Sequence, residues 1–500
     1  MPSRSPLPKV CIALGFADPT QLLAHARAES AAGERFLEFR LDYLPHPEDG
    51  VKVIREFLDK TPDCNVLATC RRHQNHGKFN GSIDEQIRIL ESAVEAGASA
   101  VDVEVETAEA AYARLEHLRA ECHLIISYHN FDGTPPMEPV LRRLMKFPAY
   151  AYKLVTTAKK PSDSQKILSL AKGRQRDPLV LLAMGEMGFP TRVLSPAMGA
   201  LYTYAAPNAS EGTAPGQVSA GHLRNLYRID KFTKAAKIYG VIANPVRHSI
   251  SPAVHNRAFQ SRRIDAVYLP FLVQPTHLKD FMLLADQMPI TGFSVTIPHK
   301  QKIIRYLDVV DPLARRIGAV NTVWKKAGKW RGTNTDVVGV TGPLSKKIRL
   351  AKSSILIVGN GGAARGAAFS LADAGAQVSI AGRNPDRVRA LCKVCGATPL
   401  MKEQLKSRHF DAVVHATPIG MFPNPDDCFF PDVIPADLVM DMVYNPMETL
   451  LIKRAKEQGR EVIAGIEMFL EQAGQQFSIW TGESAPKPVM ERAALEALAG

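Results

Sequence analysis

The first 206 residues alternate between short apolar runs and longer stretches in which apolar residues recur at helical spacing. Eight runs read as strands: residues 10–15, 35–42, 66–71, 100–105, 123–129, 150–156, 179–185 and 200–206. Between them lie patterns such as SIDEQIRILESAVEAGA and PPMEPVLRRLMKF, whose apolar positions fall three and four apart, as on helices resting on a sheet. Eight strand–helix units predict a (β/α)8 barrel, completed by a helix near residues 220–235, with a long open α/β sheet as the alternative. At Lys237 the pattern restarts with KIYGVIANP. A strand-rich stretch, 238–335, contains AVYLPFLV, GFSVTIP and the hairpin TVWKKAGKWRGTN. A second α/β unit opens with SILIVGNGGAARG, and the final GIEMFLEQAGQQFSIWTG reads as a helix folding back onto the middle region.

Composition narrows the class. Five hundred residues exceed one ordinary core and imply about two to four domains. Apolar content of 46% with 22% charged residues is that of a globular protein, and no run reaches the roughly 18 apolar residues that span a bilayer. The basic start, MPSRSPLPKVCIALGF, enters a strand almost at once and leaves little room for a targeting peptide, so a cytoplasmic location is expected. Seven scattered cysteines fit a reducing compartment. Cys392 and Cys395 have C-x-x-C spacing but no second pair nearby; they read as packing at the end of an amphipathic helix, and no metal is expected. The net charge of +12 is interspersed with acids, with no arginine-rich tract. That argues against nucleic acid and membrane partners and suits a phosphorylated cofactor and carboxylate substrates.

In a barrel, functional side chains gather at the C-terminal ends of the strands. Those ends carry Glu38, Arg40, Asp42, Arg71, Glu104, His129 and Lys153, then Met184-Gly185, with Arg192 just beyond. So many titratable groups on apolar strands are costly unless paired or functional; Asp42 and Glu104 are expected to be structural ion pairs. A desolvated lysine can attack a ketone as the free amine, and a neighbouring imidazole can carry protons. Lys153 with His129 therefore suggests Schiff-base chemistry, with arginines holding a carboxylate.

LEFRLDYL, ISYHNF, YKLVTTA, MGEMGFPTRVLSPAMGALYTYA and TAPGQ resemble type I 3-dehydroquinate dehydratase over residues 8–232. The resemblance implies that Lys153 forms an imine with the C3 ketone of 3-dehydroquinate and that His129 removes a C2 proton. It assigns Glu38, Arg40, Arg71, Arg192, Thr213 and Gln217 to substrate binding. One departure stands out. Where the family has a glutamate that orients the catalytic histidine, this chain has Asn75, which can hydrogen-bond but cannot stabilise an imidazolium by charge. A working but slower dehydratase is expected.

In the second half, NPVRHSISPAVHN places Ser249 and Ser251 two apart, which alone is a turn or helix-capping pattern. Lys300, Asn321 and Asp336 follow strand-like runs; a Lys and an Asp from separate strands can share a proton network beside a hydroxyl or ketone, or form a plain ion pair. VGNGGAARG follows a strand and opens a helix, the context of a dinucleotide-binding turn. The next strand ends with Arg383 and Arg387 where an NAD-binding domain carries an acid, which favours NADP.

NPVRHSISP, GFSVTIPHK, GAVNTV, TNTD, GNGGAARG, GRNPDR, ATPIGM and DMVYNPMETLL, in this order, resemble shikimate dehydrogenase over residues 237–500. The resemblance implies an α/β substrate domain at 237–340, joined by a C-terminal helix at about 468–500, and a Rossmann NADP-binding domain at 350–467. Ser249, Ser251, Thr296, Asn321, Asp336, Tyr444 and Gln472 would contact shikimate, with Lys300 and Asp336 as the catalytic pair. Gly359, Asn360, Gly361, Gly362, Ala363, Arg383, Asn384, Arg387, Thr417 and Met468 would line the cofactor. Val337 and His415 replace a Gly and an Asn common in the family, and are expected to alter packing or nicotinamide contacts. Dehydratase followed by dehydrogenase is the order of a bifunctional family of plants and some bacteria. It implies conversion of 3-dehydroquinate to 3-dehydroshikimate and then, with NADPH, to shikimate. The alternatives are an active dehydrogenase fused to a weak or scaffold barrel, and a quinate/shikimate dehydrogenase.

Overall fold

A computed structural model describes residues 6–499 apart from 175–176, 209–211, 215 and 232. The expected barrel boundary at 232, Pro215 of TAPGQ and the terminal residue 500 lie outside the described residues. The chain forms two compact units: Met1–Ala236 with Phe271–Val273 and Asp280–Met288, and the remainder.

The first unit contains all eight expected strands: β1 (Val10–Leu14), β2 (Phe36–Arg40), β3 (Asn65–Thr69), β4 (Ala100–Glu104), β5 (His123–His129), β6 (Ala151–Thr157), β7 (Leu179–Met184) and β8 (Thr203–Ala205). They form one sheet in the order β7-β6-β5-β4-β3-β2-β1-β8. Each of β1 to β7 pairs in parallel with its sequence neighbour, and β8 pairs with β1. The Leu201 N–H donates to the Leu179 carbonyl across the seam, so the barrel is nearly closed. Alternation along the strands explains where the polar residues go. Ala100, Ile125 and Ala151 pack in the apolar interior. Two residues further along the same strands are Asp102, Ser127 and Lys153, which therefore face the same way one layer higher. The expected helix near 220–235 stops short, spanning Ala220–Asn225. Arg228 sits at φ 51°, in the left-handed region, which breaks helical continuity.

Beyond the barrel strands lie two further sheets. One holds β9 (Lys237–Ala243), β10 (Ala266–Leu272), β11 (Ile290–Val295), β12 (Val309–Val310), β13 (Thr322–Lys326) and β14 (Lys329–Thr333), in the order β10-β9-β11-β13-β14-β12. β13 and β14 form the expected hairpin, turning at Ala327 and Gly328, both at positive φ. The other sheet is all parallel: β15 (Ser354–Val358), β16 (Gln377–Ala381), β17 (Thr398–Leu400), β18 (Phe410–His415), β19 (Ala436–Asp441) and β20 (Glu461–Ile463). Its order, β17-β16-β15-β18-β19-β20, is that of a dinucleotide-binding sheet, with the topological switch between β15 and β18. Both faces are covered: Ile355 and Ile357 join one apolar cluster, Leu356 and Val358 another. The C-terminal segment, expected as one helix from about 468, is two helices, Gly465–Thr481 and Lys487–Ala499. Gly482 ends the first in the left-handed conformation, and Pro486 precedes the second. The first helix folds back as expected: Trp480 Nε1 donates to the Val323 carbonyl (3.1 Å), and Ser294 donates to Gln476 Oε1 (2.9 Å). Cys392 and Cys395 end the helix Pro385–Cys395, with Cys392 in the apolar cluster.

Candidate active sites

In the barrel, Lys153 is the third residue of β6 rather than its end, and it is buried. It is not the bare desolvated amine expected. Its Nζ lies 2.8 Å from Asp102 Oδ2, 2.8 Å from the Tyr204 hydroxyl and 3.8 Å from Glu38 Oε1. Asp102 also accepts from Arg71 (2.9 Å) and from Ser127 Oγ (2.7 Å), both on Oδ1. Burial pushes the Asp102 carboxyl up, but Lys153 and Arg71 outweigh it and hold the group well below the usual carboxylate range. Glu38 accepts from Thr69 Oγ1 at 2.8 Å and from the Tyr204 hydroxyl at 3.4 Å.

Arg71 also reaches His129, with NH1 2.8 Å from Nδ1. A guanidinium only donates, so Nδ1 accepts and the neutral ring carries its proton on Nε2. Burial, with Arg71 and Lys153 adding to it, lowers the His129 pKa well below the ordinary value, so the ring is neutral near pH 7. Asn75 is not on the ring: its amide donates to Glu106 Oε2 at 2.9 Å. Arg71 takes the place expected for the orienting residue.

Arg40 and Asp42 form the expected pair, doubly bonded at 2.9 and 2.8 Å. Glu104 is a correction. It is held by Gln86 (2.7 Å) and the Arg72 N–H (3.0 Å), which are neutral donors, and burial raises its pKa. Arg192 is buried, and burial lowers its pKa to about 10, a shift that a substrate carboxylate would reverse. Thr213 and Gln217 lie on the loop after β8, where Gln217 Oε1 accepts from the Ala214 N–H (3.3 Å). Asp102 and Tyr204 are the members of this cluster that the sequence reading did not single out.

In the second unit, Lys300 Nζ lies 2.6 Å from Asp336 Oδ2, and Asn321 donates to Asp336 Oδ1 at 2.8 Å. Asp336 opens the helix Asp336–Ser345, its N–H capped by Asn334 Oδ1 (3.0 Å). A Cβ on Gly362 would lie 3.5 Å from Lys300 Cβ, so the Lys–Asp pair abuts the glycine-rich turn. Gly339 brings the helix Gly465–Thr481 close, its Cβ position 3.0 Å from Met468 Cγ and 3.4 Å from Gln472 Cβ. Met468 is buried in the apolar core there. The Tyr444 ring packs on Phe469, and burial raises its pKa to about 12. Just ahead of the helix Ser251–Ser261, Ser249 Oγ accepts from the Ser251 N–H (3.3 Å) in a turn, and Thr296 follows β11 directly, half-buried.

The turn after β15 fits a dinucleotide. Gly359 has φ 128° and a Cβ there would meet the Ala416 carbonyl oxygen at 2.7 Å, so only glycine lets β15 and β18 approach at the switch point. Nothing lies within 4 Å of a Cβ on Gly361, leaving open space at the N-terminus of the helix Gly362–Asp373 for a pyrophosphate. Asn360 donates to the Asn384 carbonyl (3.5 Å), Asn384 caps the helix Pro385–Cys395, and Arg383 and Arg387 are exposed beside it. His415 is buried, with Nδ1 2.9 Å from Asp441 and Nε2 2.6 Å from the Thr417 hydroxyl. It therefore holds Thr417 through a hydrogen bond, where a change in packing or in nicotinamide contacts is expected.

Residues 10–234 match the model described as type I 3-dehydroquinase. Residues 241–323 match the shikimate dehydrogenase substrate binding domain, 344–419 shikimate/quinate 5-dehydrogenase, and 465–495 the shikimate 5'-dehydrogenase C-terminal domain. The chloroplastic bifunctional 3-dehydroquinate dehydratase/shikimate dehydrogenase of Arabidopsis thaliana is 33% identical over 482 residues, covering 91% of this chain and 79% of that protein. The chain belongs to the bifunctional 3-dehydroquinate dehydratase/shikimate dehydrogenase family. It is thus an enzyme with a lyase half and an oxidoreductase half. The dehydrogenase half is 40% identical over 257 residues to a shikimate dehydrogenase (NADP(+)) of Bacillus anthracis, covering 49% of this chain and 93% of that one. It also matches a crystal structure of shikimate dehydrogenase in complex with NADP+, at 38% identity and a TM-score of 0.50, covering 53% of this chain and 97% of that one. No described helix is long and apolar enough to cross a membrane.

Proposed function

We propose that residues 8–232 dehydrate 3-dehydroquinate to 3-dehydroshikimate, and that residues 237–340, the Rossmann domain 350–467 and the C-terminal helices reduce that product to shikimate with NADPH. The observation that carries this reading is a Lys–Asp pair in each half, at 2.8 and 2.6 Å, surrounded by the polar groups its chemistry needs. Lys153 becomes an imine with the substrate ketone. Arg192 binds the carboxylate, and Glu38, Arg40, Arg71, Thr213 and Gln217 bind the remaining substrate groups. His129 takes the C2 proton. Its free lone pair is on Nδ1, where Arg71 donates, so Arg71 has to turn to the substrate before the ring can act as a base.

In the other half, Ser249, Ser251, Thr296, Asn321, Tyr444 and Gln472 orient the ring of the substrate. Lys300 delivers a proton to the C3 oxygen, steadied by Asp336. Bound NADPH supplies the hydride. Gly359, Asn360, Gly361, Gly362 and Ala363 cradle its pyrophosphate, Arg383, Asn384 and Arg387 its 2'-phosphate end, and Thr417 and Met468 its nicotinamide end. A cytoplasmic location is supported by seven free cysteines.

The test is an assay from 3-dehydroquinate, with and without NADPH, on wild type, Lys153→Ala and Lys300→Ala. Lys153→Ala should abolish 3-dehydroshikimate formation yet still reduce added 3-dehydroshikimate. Lys300→Ala should do the reverse. Loss of both activities in either variant, or of neither, overturns the assignment.

A further inference from the structure

We propose that Tyr204 is a catalytic residue of the dehydratase half, its hydroxyl relaying a proton between Lys153 Nζ and Glu38. The inference rests on the reading that Lys153 forms the imine. An ammonium cannot attack a ketone, so Lys153 has to give up one proton and the site has to store it. Two carboxylates stand close. Asp102, the nearer, is a poor acceptor: it already takes hydrogen bonds from Arg71, Ser127 and Lys153, and the two cations hold it deprotonated. Glu38 accepts hydroxyl hydrogen bonds from Thr69 and Tyr204 and lies 3.8 Å from Nζ, beyond direct transfer.

Tyr204 spans that gap. Its hydroxyl accepts from Nζ at 2.8 Å and donates to Glu38 Oε1 at 3.4 Å, a long bond that has to shorten for transfer, as catalytic hydrogen bonds do when substrate binds; Nζ also lies 4.2 Å from its ring centre. Burial, aided by Glu38, raises the Tyr204 pKa well above its ordinary value, so the hydroxyl keeps a proton to pass on. The phenol hands its own proton to Glu38 as it takes one from Nζ. The amine lone pair then forms the N–C bond at the ketone carbon, and a proton moves from nitrogen to oxygen to give the carbinolamine. The stored proton returns from Glu38 through Tyr204 to the carbinolamine oxygen. The C–O bond breaks, water leaves, and the nitrogen lone pair closes the iminium. Atoms and charge balance: ammonium plus ketone gives iminium plus water, with Glu38 and Tyr204 restored.

The experiment is rapid-quench borohydride trapping of the full chain with 3-dehydroquinate, comparing wild type, Tyr204→Phe, Glu38→Gln and the double variant. Removing one hydroxyl should slow adduct formation about 100-fold, as loss of a positioned acid–base group does. The double variant should lose scarcely more than the slower single, since both break one relay. The barrel's own melting transition, followed by calorimetry, monitors the integrity of each variant. A second measurement needs no variant: imine formation by wild type in H2O/D2O mixtures should show the curved dependence of two protons in flight. Trapping of Tyr204→Phe at the wild-type rate, or a linear dependence in wild type, overturns the relay. Absence of any trapped adduct in wild type instead overturns the imine reading beneath it.

Discussion

Asp102→Asn isolates the electrostatic centre of the barrel. Asparagine keeps the volume and one acceptor for Arg71 and Ser127, so the change removes charge rather than packing. Asp102 faces Lys153 at 2.8 Å and Arg71 at 2.9 Å. At an effective dielectric of 20, each contact is worth about 6 kcal/mol of gross Coulomb attraction. Desolvation of the three ions offsets most of this, and removing one partner of a buried pair costs about 3–5 kcal/mol net because the other charge is left buried. For a unit of this size that lowers the melting temperature by about 6–20 °C. Calorimetry of the full chain should show the barrel transition moving by that much at pH 7. The pH dependence has a definite sign. The folded Asp102 carboxyl is held below its unfolded value of about 3.9, so its contribution is complete above about pH 4 and is lost as pH falls further. The gap between wild type and variant should be flat around neutrality and narrow below pH 4. A variant that melts within about 1 °C of wild type at pH 7 refutes the argument.

Replacing Arg383 and Arg387 together by Gln should raise the KM for NADPH about 10–100-fold and leave that for NADH unchanged, since only the former offers a 2'-phosphate; equal effects on both cofactors would refute the assignment. His255 is buried against Tyr268, and burial lowers its pKa to about 3. Because the unfolded ring protonates near 6.5, stability should be full above that pH and fall as pH drops toward 3, by about 2 kcal/mol at pH 5. Urea midpoints should therefore be less acid-sensitive in His255→Phe, and unchanged sensitivity counts against this origin. Asn75→Ala should leave dehydratase kcat within about twofold, because its amide rests on Glu106 rather than His129; a fall near 100-fold would mean that it reaches the ring during turnover.

The strands of the barrel were legible because each is a short apolar run between amphipathic helices, and eight such units close in few ways. Strand ends alone do not reveal Asp102, which lies two residues before Glu104 and on the same face of β4. The alternation in AVDVEV could have found it. Tyr204 carried no comparable signal: its partners lie 51 and 166 residues away, and ALYTYAA looks like any aromatic strand. Arg71 on His129 is equally non-local, 58 residues apart, so nothing local in the sequence marks the arginine rather than Asn75 as the partner of the ring. The break between the last two helices was written in TGESAPKP, where Gly482 and Pro486 stop and restart the helix. The early stop at Asn225 was not, because a non-glycine residue at positive φ, Arg228, follows it.

The two Lys–Asp pairs have similar lengths, and what distinguishes them is the far oxygen of each aspartate. In the barrel that oxygen meets a second cation, Arg71, and Glu38 supplies a second carboxylate. Two positive and two negative charges are thus balanced before reaction. They stay balanced afterwards, because an iminium keeps a positive charge where the ammonium had it. The arrangement suits the imine proposed at Lys153, which would stay cationic through its covalent stage, and the side chain is only 5% exposed. In the dehydrogenase half the far oxygen of Asp336 meets the neutral amide of Asn321. In the proposed reaction Lys300 gives up its proton to the substrate oxygen, which would leave Asp336 as an uncompensated anion and favour taking a proton back. That lysine side chain is 16% exposed, so water can return it. A covalent lysine needs partners that hold its charge in place; a proton-donating lysine needs partners that restore the charge once it is spent.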